Sequence, residues 1–521
     1  GSEGDAHLAA EAATRGIARA AGINSLGNVA SRLFGLFREA VIAGIFGASG
    51  ATSAFDAVSG VPKMVYELLI GGMLSAALIP VLSEYTTAER KEELERVLSI
   101  LLSLSGVVLL ATIVILELAA PWIAPLLVGG FDAQLLATAT LLVRLIVPAI
   151  LIYGLSGIRH NSVLRHLRFV YPAMGAPAHN LGVIVAVVLL SGKLNIASLS
   201  VGIVVAATVQ LLVQIPGLKG TRLSFRLDWR HPVVRRVPRL YAPVALSIVV
   251  QNVGIIIDRN LASRTVNEAI TWMTKATFLI QLPLGLVSMA ISLAVLPTLS
   301  QIDASKDLER FKRTLALGLR LVLVVIIPAT MGLWVLGRPI IELVFEHGQF
   351  SPQDTTQSLR ALRLYLLGLP FAAIDLPLIF AFYAQKDTMT PVAVGIAAVF
   401  LYLLVGPALA FLAHFGFLGL VAANSVQLSS HAVIMLIVFA RRFQSLRGYG
   451  FIRASLKASG ASCLVAAPAR LGYVLLRHRF PENSLGEALL VTICATLGAL
   501  GYLAGARLLR IAEIESLYAA V

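Results

Sequence analysis

Arginine suits a phosphate better than any other side chain, because its planar guanidinium donates a two-pronged fork and keeps its charge. Arg32 and Arg38 stand with Glu39 in the first apolar stretch, Ala30-Ser-Arg32-Leu-Phe-Gly-Leu-Phe-Arg38-Glu39-Ala-Val-Ile-Ala-Gly44. On a helix Arg32 and Glu39 share one stripe, and Arg38 lies about 120° round from it. Charges in hydrocarbon are costly unless they meet water or a partner, so each is a functional candidate. Together the three point to an anionic headgroup. The same residues also allow a plainer reading: Arg38 pairs with Glu39 at a helix end, and Arg32 snorkels to the membrane rim.

Other ionisable residues interrupt later apolar stretches. Asp258-Arg259 lies near the end of the seventh, where Asp258 could bind a coupling cation or proton, or simply neutralise Arg259. Asp375, in the tenth, is two residues from the helix-breaking Pro377, and could be a cavity carboxylate or a kink partner. Glu67 and Arg144 are mid-span charges that could pair with each other. His179-Asn180 fits interhelical hydrogen bonding better than ligand binding. The sequence contains no Walker A loop, HExxH, GxSxG or CxxC. A transporter is therefore expected rather than an enzyme, driven by an ion gradient or by the gradient of its substrate. Cys463 and Cys494 sit in apolar C-terminal stretches and read as small core residues, with no disulfide and no metal site.

The elements that position these residues are membrane helices. Of 521 residues, 58% are hydrophobic and 13% charged, about half the usual charged share. Fourteen apolar spans follow one another from 26–47 to 486–509, each near the 20 residues that cross a bilayer core of about 30 Å. Two distant passages say the same thing. Ala77-Leu-Ile-Pro80-Val-Leu-Ser83 returns as Ala294-Val-Leu-Pro297-Thr-Leu-Ser300, Leu118-Ala-Ala-Pro121 as Leu336-Gly-Arg-Pro339, Phe131 as Phe350 and Pro172 as Pro391, always 217–219 residues later. Spans one to six and seven to twelve are therefore two parallel repeats. The expected fold is an all-α polytopic membrane protein. Its 14 transmembrane helices form two six-helix lobes around a central cavity, plus two extra C-terminal helices beside a lipid-facing groove. The expected division is a polar leader at 1–22, an N-lobe at 23–218, a basic linker at 219–239, a C-lobe at 240–443, and the last two spans with the tail at 444–521. Gly1-Ser2 has the look of an expression remnant, and no cleavable signal peptide is visible.

The net charge of +14 could suggest nucleic acid, but its placement argues otherwise. Basic residues collect in alternate loops, around Arg90–Arg96, Arg159–Arg168, Lys219–Arg239, Lys306–Arg313 and Arg441–Lys457, and the loops between carry almost none. That alternation is the positive-inside pattern, and it places both termini in the cytoplasm. The linker is expected to lie on the anionic inner surface.

Several of these segments resemble the MurJ (MviN) family of lipid II flippases, in the multidrug/oligosaccharidyl-lipid/polysaccharide exporter superfamily. They are Ser31-Arg32-Leu-Phe-Gly-Leu-Phe-Arg38-Glu39, Ile45-Phe-Gly-Ala48, Ala51-Thr-Ser-Ala-Phe55, Ala119-Ala-Pro-Trp122, Trp272-Met273, Leu296-Pro-Thr-Leu-Ser300, Phe345-Glu-His-Gly-Gln-Phe350 and Lys386-Asp-Thr-Met-Thr-Pro391. The resemblance implies a bacterial inner-membrane flippase that moves lipid II from the inner to the outer leaflet for peptidoglycan synthesis. It implies membrane lipids and cell-wall synthesis machinery as surroundings, and no cofactor beyond a coupling sodium ion or proton. It gives Arg38 a role in binding pyrophosphate, with Arg32 and Glu39 beside it, and Asp258 a role in binding sodium. The chain also departs from the pattern. Ser53 replaces the acidic residue after the first span, Tyr66 an arginine of the second, and Thr277, Phe278 and Gln281 the charged set of the eighth. Either Arg38, Lys63 and Lys275 form a rearranged anion site, or the cargo is a different polyprenyl-linked glycan. A cation-coupled exporter of the same superfamily and a non-transporting scaffold are the other readings.

Overall fold

The computed structural model describes residues 27–72, 91–163, 170–214, 225–481 and 483–514. The leader, residues 77–83 of the first repeat, Arg90, Arg165, Arg168 and the linker up to residue 224 lie outside them. All regular structure among the described residues is helical, with no strand. The chain divides into two compact units, Gly1–Asn260 and Leu261–Val521.

In the first unit, α1 spans 27–46, followed by α2 (Gly50–Val58) and α3 (Val61–Tyr66), which runs on as a wide π-helical turn over Glu67–Gly71. Then come α4 (Lys91–Val128), α5 (Ala133–Ile146), α6 (Ala149–Val163), α7 (Val170–Leu194), α8 (Ala197–Gln214) and α9 (Pro232–Ser263), whose last turn reaches the second unit. In the second unit, α10 runs over Ala269–Gln301 with a π turn at Leu284–Ser288. It is followed by α11 (Leu308–Phe345), α12 (Pro352–Ala384), α13 (Met389–Leu412, ending in π geometry), α14 (Phe417–Phe443), α15 (Phe451–Leu476) and α16 (Ser484–Leu508).

Among the described residues, eleven helical stretches are long and apolar enough to cross a membrane, one of them running through α5 into α6 (Ala133–Ser156). The other three expected spans stand apart for different reasons. The first carries three charges, Arg32, Arg38 and Glu39. The second is described only to residue 72. The sixth is described only to residue 214, with an apolar run of Ala197–Val213.

The repeat reappears in the elements themselves. Helices α4 and α11 end 217 residues apart, at Val128 and Phe345. Both π turns, Glu67–Gly71 and Leu284–Ser288, are five residues long and also 217 apart. A π turn widens the helix and turns carbonyls out of the ladder, often at functional sites. In the first unit the Tyr241 hydroxyl donates to the carbonyls of Glu67 and Leu68. In the second, Ser288 Oγ donates to the Ala373 carbonyl at 2.6 Å. That carbonyl would ordinarily accept from residue 377, which is Pro377 and has no N–H. One hydroxyl on the widened turn thus satisfies the proline kink of α12.

Helix ends are closed by side chains. Ser351 and Asp354 form a capping box on α12. Asn260 Nδ2 donates to the last-turn carbonyls of Pro125 and Leu126 at 2.9 and 3.0 Å, closing α4. The described part of the basic linker is tied to the start of α4. The Arg226 amide donates to Ser103 Oγ at 2.9 Å, and His231 faces Glu93 at 3.5 Å. Between α12 and α13, Asp387 accepts from the Thr390 amide and hydroxyl and from Arg442. Burial pushes the Asp387 carboxyl up, but these donors outweigh it and hold it below its ordinary value. A depressed folded-state value contributes stability above the unfolded one and loses it as pH falls through the folded one. Thermal midpoints should therefore fall more steeply below pH 3.8 for the parent than for Asp387→Asn; parallel curves would show that the cluster contributes nothing.

Helices α15 and α16 pack through small residues, as membrane helices commonly do. A Cβ on Gly501 would stand 2.2 Å from the Leu464 carbonyl oxygen, so only glycine permits this approach.

Candidate functional site

Helix α1 stays helical through its charges because long side chains cost little helix propensity, and its remaining residues are apolar or small. Arg38 is 26% exposed and Glu39 9% at the side chain, and the two are joined. Arg38 Nε and Nη2 donate to Glu39 Oε1 at 3.2 and 2.7 Å. The structural pairing visible in the sequence is therefore real. A third contact lies beyond it: Arg38 Nη1 donates to Asn180 Oδ1 at 2.9 Å. Asn180 in turn donates from Nδ2 to the Ser31 carbonyl on α1 at 2.9 Å. One amide thus fixes both the guanidinium and the backbone about two turns earlier. Of the five N–H bonds an arginine carries, three are engaged, and two are left for a ligand.

Asn180 serves as the interhelical bonding group expected of it, but its grip on Arg38 was not legible. The two are 142 residues apart. His179 beside it faces the Tyr153 hydroxyl at 3.4 Å, and Tyr153 meets the Tyr66 ring at 6.4 Å between centroids. An aromatic string therefore leads from the α7 pair to Tyr66, the position where the family pattern has arginine.

The other candidates are dispersed. Arg32 is half-buried on α1, and Lys63 is exposed on α3. Lys275 is fully buried in the second unit, its ammonium 5.7 Å from the Phe345 ring centroid. It is covered on all sides, whereas the rearranged anion set of Arg38, Lys63 and Lys275 needs it open to a ligand. Arg144 is exposed and Glu67 half-buried, and no ion pair joins them among the described residues. Asp258 and Arg259 are half-buried near the end of α9.

Asp375 meets a partner the sequence did not indicate. His431 Nδ1 lies 2.8 Å from Asp375 Oδ1, joining α14 to α12. Both side chains are mostly covered. Gly395 of α13 faces the imidazole, and a Cβ there would stand 3.8 Å from Nε2. The only available signal was a histidine midway along an apolar span.

Two of the family-like motifs have structural work. Trp272 Nε1 donates to Asp354 Oδ1 at 2.9 Å, and the Trp272 ring packs against Phe417. Glu346 accepts from the Thr355 hydroxyl, and Phe345 packs on Phe350. These contacts knit α10, α11, α12 and α14 together.

The second unit also carries a long apolar groove of about 620 Å³, lined among others by Val324, Pro328, Leu336, Val465, Gly498 and Tyr502. It lies between α11, α15 and α16. From Val324 to Ile340 on α11 it runs about 24 Å at 1.5 Å per residue.

A family model described as lipid II flippase MurJ matches residues 42–492. Curated relatives include the lipid II flippase MurJ of Burkholderia cenocepacia, 26% identical over 446 residues, covering 84% of this chain and 86% of the relative. Another is a probable lipid II flippase MurJ of Vibrio cholerae, 29% identical over 413 residues, covering 76% and 78%. Among solved structures, an inward closed conformation of lipid II flippase MurJ aligns with TM-score 0.76 at 24% identity, over 93% of this chain and 98% of that one. An inward-facing multidrug transporter of the MATE family aligns with TM-score 0.68 at 14% identity, over 80% and 95%. Both structural likenesses speak to the fold.

Proposed function

From the membership of this chain in the lipid II flippase MurJ family, we propose that it carries lipid II from the inner to the outer leaflet of the bacterial inner membrane by alternating access. The observation that carries the reading is Arg38: a guanidinium in an apolar helix, fixed by Glu39 and Asn180, with two donors left over. Lipid II is an undecaprenyl-pyrophosphate bearing a disaccharide-pentapeptide. Its head cannot cross hydrocarbon bare, because each unsatisfied polar group would cost several kcal/mol. Two six-helix lobes around a wet cavity would remove that barrier, and both termini would lie in the cytoplasm. The pyrophosphate would displace Glu39 in part from Arg38, with Arg32 and Lys63 supplying further positive charge from the same unit. The prenyl tail would stay in lipid, in the groove between α11, α15 and α16, whose apolar length approaches that of the hydrocarbon core.

Coupling would run through Asp258 or Asp375. The imidazole of His431 against Asp375 suits a proton better than sodium, since it brings a second proton acceptor and no further oxygen ligand. Asp258 remains the sodium candidate. Asp258→Asn should reduce the rise in thermal midpoint that sodium gives the parent; no sodium effect in the parent would discard that coupling site.

The reading is tested in proteoliposomes loaded with lipid II on one leaflet. The chain should raise the rate at which the other leaflet becomes labelled, and vesicles carrying Arg38→Ala should match empty ones. Labelling no faster than in empty vesicles for the parent would sink the reading.

A further inference from the structure

A second cavity lies beyond one end of the apolar groove. Along each of its three walls the next residues become charged and line a separate cavity of about 330 Å³, with Glu342 on α11, Tyr473, Arg477 and His478 at the end of α15, and Glu487 on α16. Leu336, Ala469, Leu490 and Cys494 form a buried cluster at the junction. The charges in this end cavity are of both signs and do not cancel one another. Glu342 is held by Arg338 Nε at 2.7 Å, one turn back on α11. Arg477 lies 5.9 Å from the Tyr473 ring centroid. Neither Arg477 nor Glu487 has an ion-pair partner among the described residues, although both face the same space. The volume lies at the lower end of small-ligand sites, about 300–1,000 Å³.

An apolar trough with a pocket of split charge beyond its end, on the same three helices, is complementary to a zwitterionic lipid. We propose that this end cavity binds the headgroup of an aminophospholipid, phosphatidylethanolamine, whose acyl chains enter the groove. The phosphate would accept from Arg477 and His478, and the primary ammonium would donate to Glu487 and Glu342 while Tyr473 offers its ring face. A choline headgroup has no N–H to donate, and a glycerol headgroup has no cation, so each would leave Glu487 unsatisfied. The inference goes beyond the flippase reading but touches it: this lipid and the prenyl tail would compete for one groove.

The test is native mass spectrometry of the detergent-purified full chain with equal amounts of dioleoyl phosphatidylethanolamine, phosphatidylcholine and phosphatidylglycerol. Phosphatidylethanolamine should be retained about tenfold over the other two, the size of one charge-assisted hydrogen bond. Glu342→Gln with Glu487→Gln should bring it down to the phosphatidylcholine level. Arg477→Ala should lower all three, with Arg477→Lys restoring part of the retention in case the alanine variant folds poorly. Arg38→Ala should leave the preference intact, so that failure here and failure of the flippase reading can be told apart. Equal retention of the three lipids would overturn the proposal. So would a preference for phosphatidylglycerol, or a preference that survives loss of both acids.

Discussion

Arg38→Ala should abolish the ability of this chain to support growth of a flippase-depleted bacterium, with its level in the membrane unchanged. The guanidinium offers two free N–H donors to a phosphate. Hydrogen bonds to charged groups are worth about 1.5–3 kcal/mol each, so losing two costs on the order of a hundredfold to ten-thousandfold in affinity. Arg38→Lys keeps the charge and loses the fork, and should fall between. Alanine also takes from Glu39 its ion pair with Arg38, a loss that a fall in membrane level would reveal. The double variant Arg38→Ala with Glu39→Gln removes the Glu39 charge as well and should be as inactive as the single variant, at normal levels. Growth at normal levels in either would take Arg38 out of the mechanism.

Glu39→Gln alone should act in the opposite sense on binding. The carboxylate holds Nε and Nη2 of Arg38, and a pyrophosphate must compete with it. A neutral amide keeps an acceptor but gives up the charge, so lipid II should be retained about tenfold more tightly, roughly the strength of one charge-assisted bond. Release should slow by the same logic, and turnover in vesicles should fall as retention rises. A carboxylate beside the arginine is then what keeps the site reversible. Weaker retention in Glu39→Gln would mean that Glu39 only orients the guanidinium, and that the competition idea is wrong.

The legible and illegible parts of this chain separate along physical lines. Apolar spans and the 217-residue echo were visible because hydropathy and proline placement are local properties; eleven spans and the 217-residue spacing of the π turns recur among the described residues. The matched π turns at Glu67–Gly71 and Leu284–Ser288 were not visible, because a widened turn leaves no compositional mark. In the site, Arg38 and Glu39 are chain neighbours, so their pairing could be anticipated. Asn180 and His431 act across 142 and 56 residues, and a single sequence carries no record of such contacts. Lys275 misled for the same reason: a lysine one turn from a lost family charge looks like its replacement, yet the fold gives it to the core beneath Phe345.

The account depends most on an arginine in the first helix gripping a pyrophosphate. Native mass spectrometry of the purified chain with lipid II, and with the same glycan on a neutral polyprenyl ether, tests it directly. The parent should retain lipid II and release the neutral analogue, Arg38→Ala should hold neither, and Glu39→Gln should hold lipid II more tightly. Equal retention of the two lipids by the parent, or retention of lipid II untouched by Arg38→Ala, would contradict it.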